Sequence, residues 1–345
     1  MLVQRFDIQD INCLRELIGN RKKRIVIIPH INPDGDAVGS ALGLWGYLKA
    51  RGHYPVVITP NDYPEYLQWM EGQQEVVVYF KQKNRAIDLI KNAELFFYLD
   101  FNEEKRTGEM SELLSGLETT KVLIDHHPNP ADFTDLIFSD TSACATSELV
   151  FELIDALGHS SYISKETGEA LFAGILTDTG SFSYNSSDPR TYATVGRLLE
   201  LGINKDKLHS RLFDNYSARR MQLLGYALNE KMVYLPEFHT AFISLTQDEL
   251  KQYNFVSGDT EGLVNYPLSI RDVCFSAIFM EKDGKIKISF RSKGSFPTNR
   301  FSSAHFNGGG HCNASGGESD LNMEESIAKF IGLLPQYADE LERSM

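Results

Sequence analysis

The sequence predicts an α/β protein in two parts, a parallel sheet with flanking helices and, beyond a helical connector, a smaller α/β domain built on a mixed sheet. Three observations predict it. From Arg24 onward short apolar runs alternate with helical stretches, the pattern of strand-helix-strand units. The apolar runs are unalternating, which suits strands buried on both faces. A length of 345 residues is more than one core usually serves.

The elements follow in order. RIVIIPH (24–30) is the first strand, GSALGLWGYLKARG (39–52) a helix closed by Gly52, and YPVVITP (54–60) the next strand. Further strands are expected at EVVVYF (75–80), ELFFYLD (94–100) and KVLIDHH (121–127), then helices at TSELVFELIDALG (146–158) and KETGEALFAGILTDTG (165–180). Residues 189–230 turn helical and charged and read as a connector between a first domain, 1–188, and a second, 231–345. In the second, MVYLPEFHTAFISL and RDVCFSAIFMEKDGKIKISFRS supply strands, with a hairpin turned at Asp283-Gly284. A glycine-rich loop and one terminal helix from Asp320 complete the chain.

Bulk properties exclude several classes. A formal charge of -13 opposes binding of duplex nucleic acid, because polyanion binders carry a basic face that releases counterions. A small phosphorylated ligand is still compatible, since bound metals and a few arginines can make one pocket positive. Four cysteines, Cys13, Cys144, Cys274 and Cys312, lie far apart and are expected as reduced thiols rather than disulfides or a thiolate zinc site. The start MLVQRFDIQD lacks the features of a signal peptide, and no apolar run reaches the roughly 18 residues of a membrane span. A cytoplasmic enzyme is the expectation.

Four segments end an apolar run with metal-ligand residue types: His30, Asp34 and Asp36 in PHINPDGDAVGS, Asp100 in ELFFYLD, Asp125-His126-His127 after KVLI, and Asp178 in GILTDTGSF. Singly, each aspartate reads better as a turn or cap residue. Jointly they weigh more, because the carboxyl ends of parallel strands line one crevice. Four carboxylates, at Asp34, Asp36, Asp100 and Asp178, balance two divalent cations, with His30 and His126 as neutral ligands. Oxygen and imidazole donors without sulfur suit manganese first and magnesium second. Paired ions about 3.5–4 Å apart fit phosphoester hydrolysis by an activated water. No GxSxG elbow favours a seryl nucleophile.

The motifs HINPDGDAVGS, LDFN, IDHHPNP and LTDTGSF, in that order, resemble those of the DHH phosphoesterase superfamily, named for the triplet at Asp125-His126-His127. EGLVNYPLSI, FRSKG and GGGHCNASGG resemble its DHH-associated C-terminal domain. The compact length is similar to the bacterial oligoribonuclease (nanoRNase) and pAp-phosphatase group. That resemblance implies hydrolysis of very short single-stranded oligonucleotides or dinucleotides such as pApA to 5'-mononucleotides, and removal of phosphate from 3'-phosphoadenosine 5'-phosphate. It also implies one metal on His30, Asp34 and Asp100 and another on Asp36, Asp100, His126 and Asp178. Asp100 would bridge the two, His127 would face the scissile phosphate, and Asp125 would orient the neighbouring histidines. A homodimer is plausible from the same likeness. The alternatives are a RecJ-like single-strand exonuclease, an inorganic pyrophosphatase and a nucleotide-binding regulator without turnover.

The segment from Phe290 to Gly317 contains Arg291, Lys293 and Arg300 and no Asp or Glu, a local charge of +3. Arg291, the glycines Gly308, Gly309 and Gly310, and His311 are therefore read as a substrate clamp. Asn265 and Ser292 join that set by resemblance. Arg106 reads as an exposed, salt-bridging arginine. His53, His159 and His209 are expected as structural or solvated groups, Trp45 and Trp69 as core, and Cys312 as a small side chain packed under a loop.

Overall fold

The computed structural model describes residues 5–19, 21–214, 216–256, 258–282 and 284–345. The chain divides into two compact units, Met1–Asn215 and Tyr216–Met345. Among the described residues no helix is long and apolar enough to cross a membrane.

The first unit carries β1 (Arg24–Pro29), β2 (Tyr54–Thr59), β3 (Val77–Val78), β4 (Leu95–Leu99), β5 (Lys121–Asp125) and β6 (Leu136–Ser139). They pair in the order β3-β2-β1-β4-β5-β6, and every pairing is parallel. The helices are α1 (Ile8–Leu17), α2 (Gly35–Ala50), α3 (Lys83–Lys91), α4 (Ser111–Ser115), α5 (Thr146–Ala156), α6 (Lys165–Asp178), α7 (Pro189–Glu200) and α8 (Lys205–Phe213). The central strands are apolar because both faces are covered: Ile25 and Ile27 pack into one hydrophobic cluster, Val26 and Ile28 into another.

Sheet order reverses between β1 and β4. The chain builds outward from β1 to β3, then returns to place β4 on the other side of β1. In open parallel sheets the crevice at such a reversal is where ligands bind.

Several boundaries differ from the sequence reading. Helix α2 begins four residues earlier than Gly39, because Asp34 has extended backbone and its side chain accepts the amides of Asp36 and Ala37. Strand β3 shrinks to two residues, since a 3-10 turn over Gln73–Glu75 consumes its start. Strand β6, helix α1 and helix α3 were not expected. β6 is a four-residue edge strand with Ile137 exposed, too short to leave a clear apolar run.

Helix α2 lies close against α6, and glycines make the approach possible. A Cβ at Gly39 would stand 2.5 Å from the carbonyl oxygen of Ala170, and one at Gly174 would stand 2.0 Å from Ser147 Oγ and 2.7 Å from Asp36 Oδ1. All three distances are too short for a side chain at either position.

The second unit contains α9 (Ala218–Glu230), β7 (Met232–Leu235), β8 (Thr240–Leu245), α10 (Gln247–Gln252), β9 (Phe275–Lys282), β10 (Lys285–Ser292), α11 (Thr298–His305), β11 (Gly309–Gly310), β12 (Ala314–Ser319), α12 (Met323–Leu333) and α13 (Ala338–Glu342). Its sheet is mixed, in the order β11-β12-β10-β9-β8-β7, with β8 and β9 parallel. Phe275, Phe279, Phe290, Phe301 and Phe330 fill its core. Strands β9 and β10 form the expected hairpin, and of its turn residues Asp283 lies outside the described residues. The terminal helix is not continuous: Pro335 sits in a 3-10 turn between α12 and α13, where its missing N–H and fixed φ interrupt the α-helical ladder. The helical stretch 189–230 is shared, since Leu198, Leu208 and Leu212 enter the first unit's core and Leu223 and Ala227 the second's.

Candidate metal centre

The carboxyl ends of β1, β4 and β5 each deliver a ligand-type side chain to the reversal point. His30 follows β1, Asp100 follows β4, and Asp125 ends β5 with His126 and His127 directly after it. Two more arrive from helices: Asp178 from the helix expected over 165–180, and Asp36 from a helix that begins earlier than expected. Asp36 is in the first turn of α2, and Asp178 is the last residue of α6. The apolar run before Asp178 is helical, and a carboxylate there meets the negative end of the helix dipole, an arrangement that a cation relieves.

Ligand atoms converge in two sets. His30, Asp34 and Asp100 place one atom each within 4.8 Å of one another, and so do Asp36, His126 and Asp178. His30 Nε2 lies 3.5 Å from Asp100 Oδ2 and 3.8 Å from Asp34 Oδ2. His126 Nε2 lies 3.5 Å from Asp100 Oδ1 and 3.5 Å from Asp178 Oδ2. Asp100 thus faces each set with a different oxygen. These separations exceed hydrogen-bond length and approach the roughly 3.0–3.4 Å between ligands that sit about 2.1 Å from one ion.

The histidines are oriented from behind. His30 Nδ1 is 2.8 Å from the Ile31 carbonyl and His126 Nδ1 is 3.3 Å from that of Ala143, so each ring donates from Nδ1 and turns its Nε2 toward the centre. His127 Nδ1 instead lies 2.7 Å from Asp125 Oδ1. Asp125 thus holds His127 directly, while a main-chain carbonyl meets His126 and the Asp125 charge also acts on that ring. Asp125, Asp100 and His127 also cluster, but that short hydrogen bond makes them a paired acid and imidazole rather than a third cation site.

Asp100 has φ +66, a left-handed conformation that asparagine and aspartate tolerate best. Strain of about 1 kcal/mol or more at such a position is characteristic of functional sites.

Electrostatics point to a cation. Burial, then the charges of Asp100 and Asp178, push the Asp36 carboxyl well above its ordinary range. Burial also pushes Asp178 up to about 6, with His126 opposing and Asp34 and Asp100 adding to the rise. For His30 burial favours the neutral ring, but Asp100 and Asp34 outweigh it and raise the group to about 9. His126 is likewise raised to about 9 by Asp178, Asp100 and Asp36 against its burial. Asp100 is pulled down against its own burial by His30, His127 and His126. The donors are carboxylate oxygens and imidazole nitrogens only, and they fit hard or borderline divalent ions.

Arg106 is corrected. It is half-buried, makes no ion pair among the described residues, and its charge reaches His30. Its carbonyl accepts the Ile31 amide at 2.7 Å, which fixes it beside the site. His53 is buried, His159 bonds Tyr47, and Trp45 is core. Cys312 is exposed rather than packed under a loop, and all four cysteines are free.

The expected clamp residues lie in the second unit and are half-built into its fold. Arg291 Nη1 donates to the Phe290 carbonyl at 3.0 Å. Ser292 Oγ donates to the Phe296 carbonyl and accepts from Asn313, so its proton is committed. A Cβ at Gly308 would stand 2.0 Å from the Gly316 carbonyl oxygen, and Gly310 has φ +138, so the β11–β12 pairing itself requires both glycines; Gly309 faces open space. The His311 amide closes the hairpin on Ala314 at 2.7 Å, and Asn265 is half-buried in a 3-10 turn over Leu263–Ser269.

Convergent carboxylates and imidazoles at the reversal point of a parallel sheet define a metal-dependent hydrolase. The chain belongs to the DHH family: residues 24–175 match the DHH family N-terminal domain and residues 239–339 the DHHA1 domain. It is similar to the bifunctional oligoribonuclease and PAP phosphatase NrnA of Bacillus subtilis, 28% identical over 297 residues that cover 85% of this chain and 88% of that protein. The NrnA of Thermus thermophilus is 26% identical over 308 residues, covering 89% of this chain and 88% of its own. A crystal structure of an exopolyphosphatase-related protein from Bacteroides fragilis is 41% identical, with a TM-score of 0.95 over 99% of this chain and 100% of that one.

Proposed function

We propose that this protein hydrolyses very short single-stranded oligoribonucleotides, including dinucleotides such as pApA, to 5'-mononucleotides and removes phosphate from 3'-phosphoadenosine 5'-phosphate. The observation that carries the reading is Asp100, whose two oxygens face two separate histidine-carboxylate sets. Relatives named as oligoribonuclease and PAP phosphatase, matched over nearly their whole length, support the substrate class over a longer-strand exonuclease or a pyrophosphatase.

In this reading His30, Asp34 and Asp100 hold one divalent ion, and Asp36, Asp100, His126 and Asp178 hold the other, manganese before magnesium. When bound, the pair supplies a water activated near neutral pH and neutralises charge on the phosphoryl oxygens. The protein's own groups do the rest. His127, with Nδ1 given to Asp125, exchanges its proton with substrate through Nε2, on the leaving-oxygen side. Arg106, half-buried without an ion pair among the described residues, meets a phosphate oxygen. Arg291, Gly308, Gly309, Gly310, His311 and Asn265 bind the rest of the nucleotide, while Ser292 holds Asn313 in place. The cytoplasm is the proposed location.

A second reading, polyphosphate hydrolysis, is favoured only by the likeness to the exopolyphosphatase-related protein of Bacteroides fragilis. The test is a panel of pApA, pAp, RNA of two to twenty-four nucleotides, pyrophosphate and polyphosphate with added manganese. Fastest turnover is expected on dinucleotides and pAp. Cleavage of polyphosphate or pyrophosphate alone would overturn the proposal.

A further inference from the structure

The first turn of α5 has its polar groups aimed at the two carboxylates that the metal reading uses most heavily. The Thr146 amide donates to Asp36 Oδ2 at 2.6 Å and the Ser147 amide to Asp36 Oδ1 at 2.9 Å. The Thr146 hydroxyl donates to Asp100 Oδ1 at 3.0 Å. Thr146, Ser147, Asp36 and Asp100 are all buried, so each of these bonds forms away from water. A helix N-terminus leaves its first amides without partners inside the helix, and here two of them meet a carboxylate from α2.

We infer that Thr146 is a positioning residue of the metal centre: its hydroxyl fixes the orientation of Asp100, and its amide, with that of Ser147, fixes Asp36. This inference rests on the metal reading proposed above and adds a residue to it. Asp100 must present different oxygens to two ligand sets, and rotation of its carboxyl would break both. With φ +66 its backbone is already held in a sparsely populated conformation, and the Thr146 bond adds a stop on the side chain. Each oxygen of Asp36 gives one lone pair to an amide and keeps another for a cation.

The turn that carries Thr146 is itself tethered. Glu148 accepts the Cys144 amide at 2.8 Å, and it is fixed in turn by Arg5 at 3.0 Å and by the Thr191 hydroxyl at 3.0 Å. Both Arg5 and Glu148 side chains are wholly buried. Thr146 is thus anchored independently of the ligands it orients.

The decisive experiment measures manganese binding to metal-stripped full-length protein by titration calorimetry, without substrate. Thr146→Val keeps the shape and both amides and removes only the hydroxyl, whereas Thr146→Ser keeps it. Removing an outer partner of a metal ligand typically weakens binding 10–100-fold. Thr146→Val is expected to bind manganese at least tenfold more weakly, and Thr146→Ser within about threefold of wild type. Thermal unfolding of the stripped proteins controls for folding; should Thr146→Val fail to fold, Thr146→Ala takes its place with the same expected loss. Wild-type affinity in a folded variant without the hydroxyl, or equal weakening in Thr146→Ser, would overturn the inference. Absence of manganese binding by the wild type would instead remove the metal reading on which it rests.

Discussion

His127 Nδ1 and Asp125 Oδ1 lie 2.7 Å apart, with the Asp125 side chain wholly inside the protein. The bond fixes the ring orientation and tautomer of His127, while leaving the proposed metal ligands untouched. Asp125→Asn is expected to lower kcat 10–100-fold with unchanged manganese content, because an amide can also donate to Nδ1 and no longer holds the ring in a single tautomer and orientation. Steady-state kinetics beside metal analysis checks it, and a loss of metal equal to the loss of rate would move Asp125 into the ligand set.

Gly174 marks where α6 presses on the site. A methyl group there would overlap Ser147 Oγ and crowd Asp36 Oδ1. Gly174→Ala is expected to cost about 1–3 kcal/mol in urea unfolding through overpacking. Activity should fall more than tenfold, since the displaced carboxylate belongs to the centre. Unchanged stability and activity would show that α2 and α6 can separate without harm.

A buried cluster behind α5 gives a pH dependence that is separate from the metals. Burial raises the Glu152 carboxyl to about 7 from an ordinary 4.5; Arg5 works against the rise and Glu148 adds to it. Because the folded value is the higher one, the stability this group contributes is complete below pH 4.5 and is lost as pH rises through 7. The loss by pH 8 is on the order of 3 kcal/mol. Glu152→Gln keeps an acceptor for Arg5 and removes the titration. Urea unfolding at pH 5 and pH 8 should therefore show the variant gaining on wild type only at the higher pH.

Arg291→Ala is expected to raise KM for a dinucleotide about tenfold or more, with kcat within a few-fold of wild type, because the proposed contact holds substrate equally before and during reaction. Kinetics on pApA test this. A loss confined to kcat would contradict the clamp role.

Much of the site was legible because parallel strands end in it. His30, Asp100 and His126 stand out as polar residues closing apolar runs, and motif order related them to one family. The proposed ligand Asp178 was legible as part of a helix over 165–180, and α6 does end on it, but nothing in the sequence showed that this helix end meets the strand ends. Thr146 gave no signal: its value lies in a bond to Asp100 across 46 residues. The glycines inside α2 gave no sign in the sequence of their contact with α6. In the second unit the reverse occurred, because glycines read as an anion cradle are at least partly demanded by strand pairing at Gly308 and Gly310.

Asp100 is proposed to bridge a pair of divalent ions. Asp100→Asn preserves the volume and tolerates the left-handed backbone, so it tests the charge and donor rather than the fold. Metal content by mass spectrometry, measured with pApA hydrolysis on the same manganese-loaded samples, is expected to show two ions per chain in wild type and fewer than one in the variant, with turnover reduced by about a thousandfold or more. Near-normal turnover by Asp100→Asn, or two tightly held ions in it, would contradict the bridged centre.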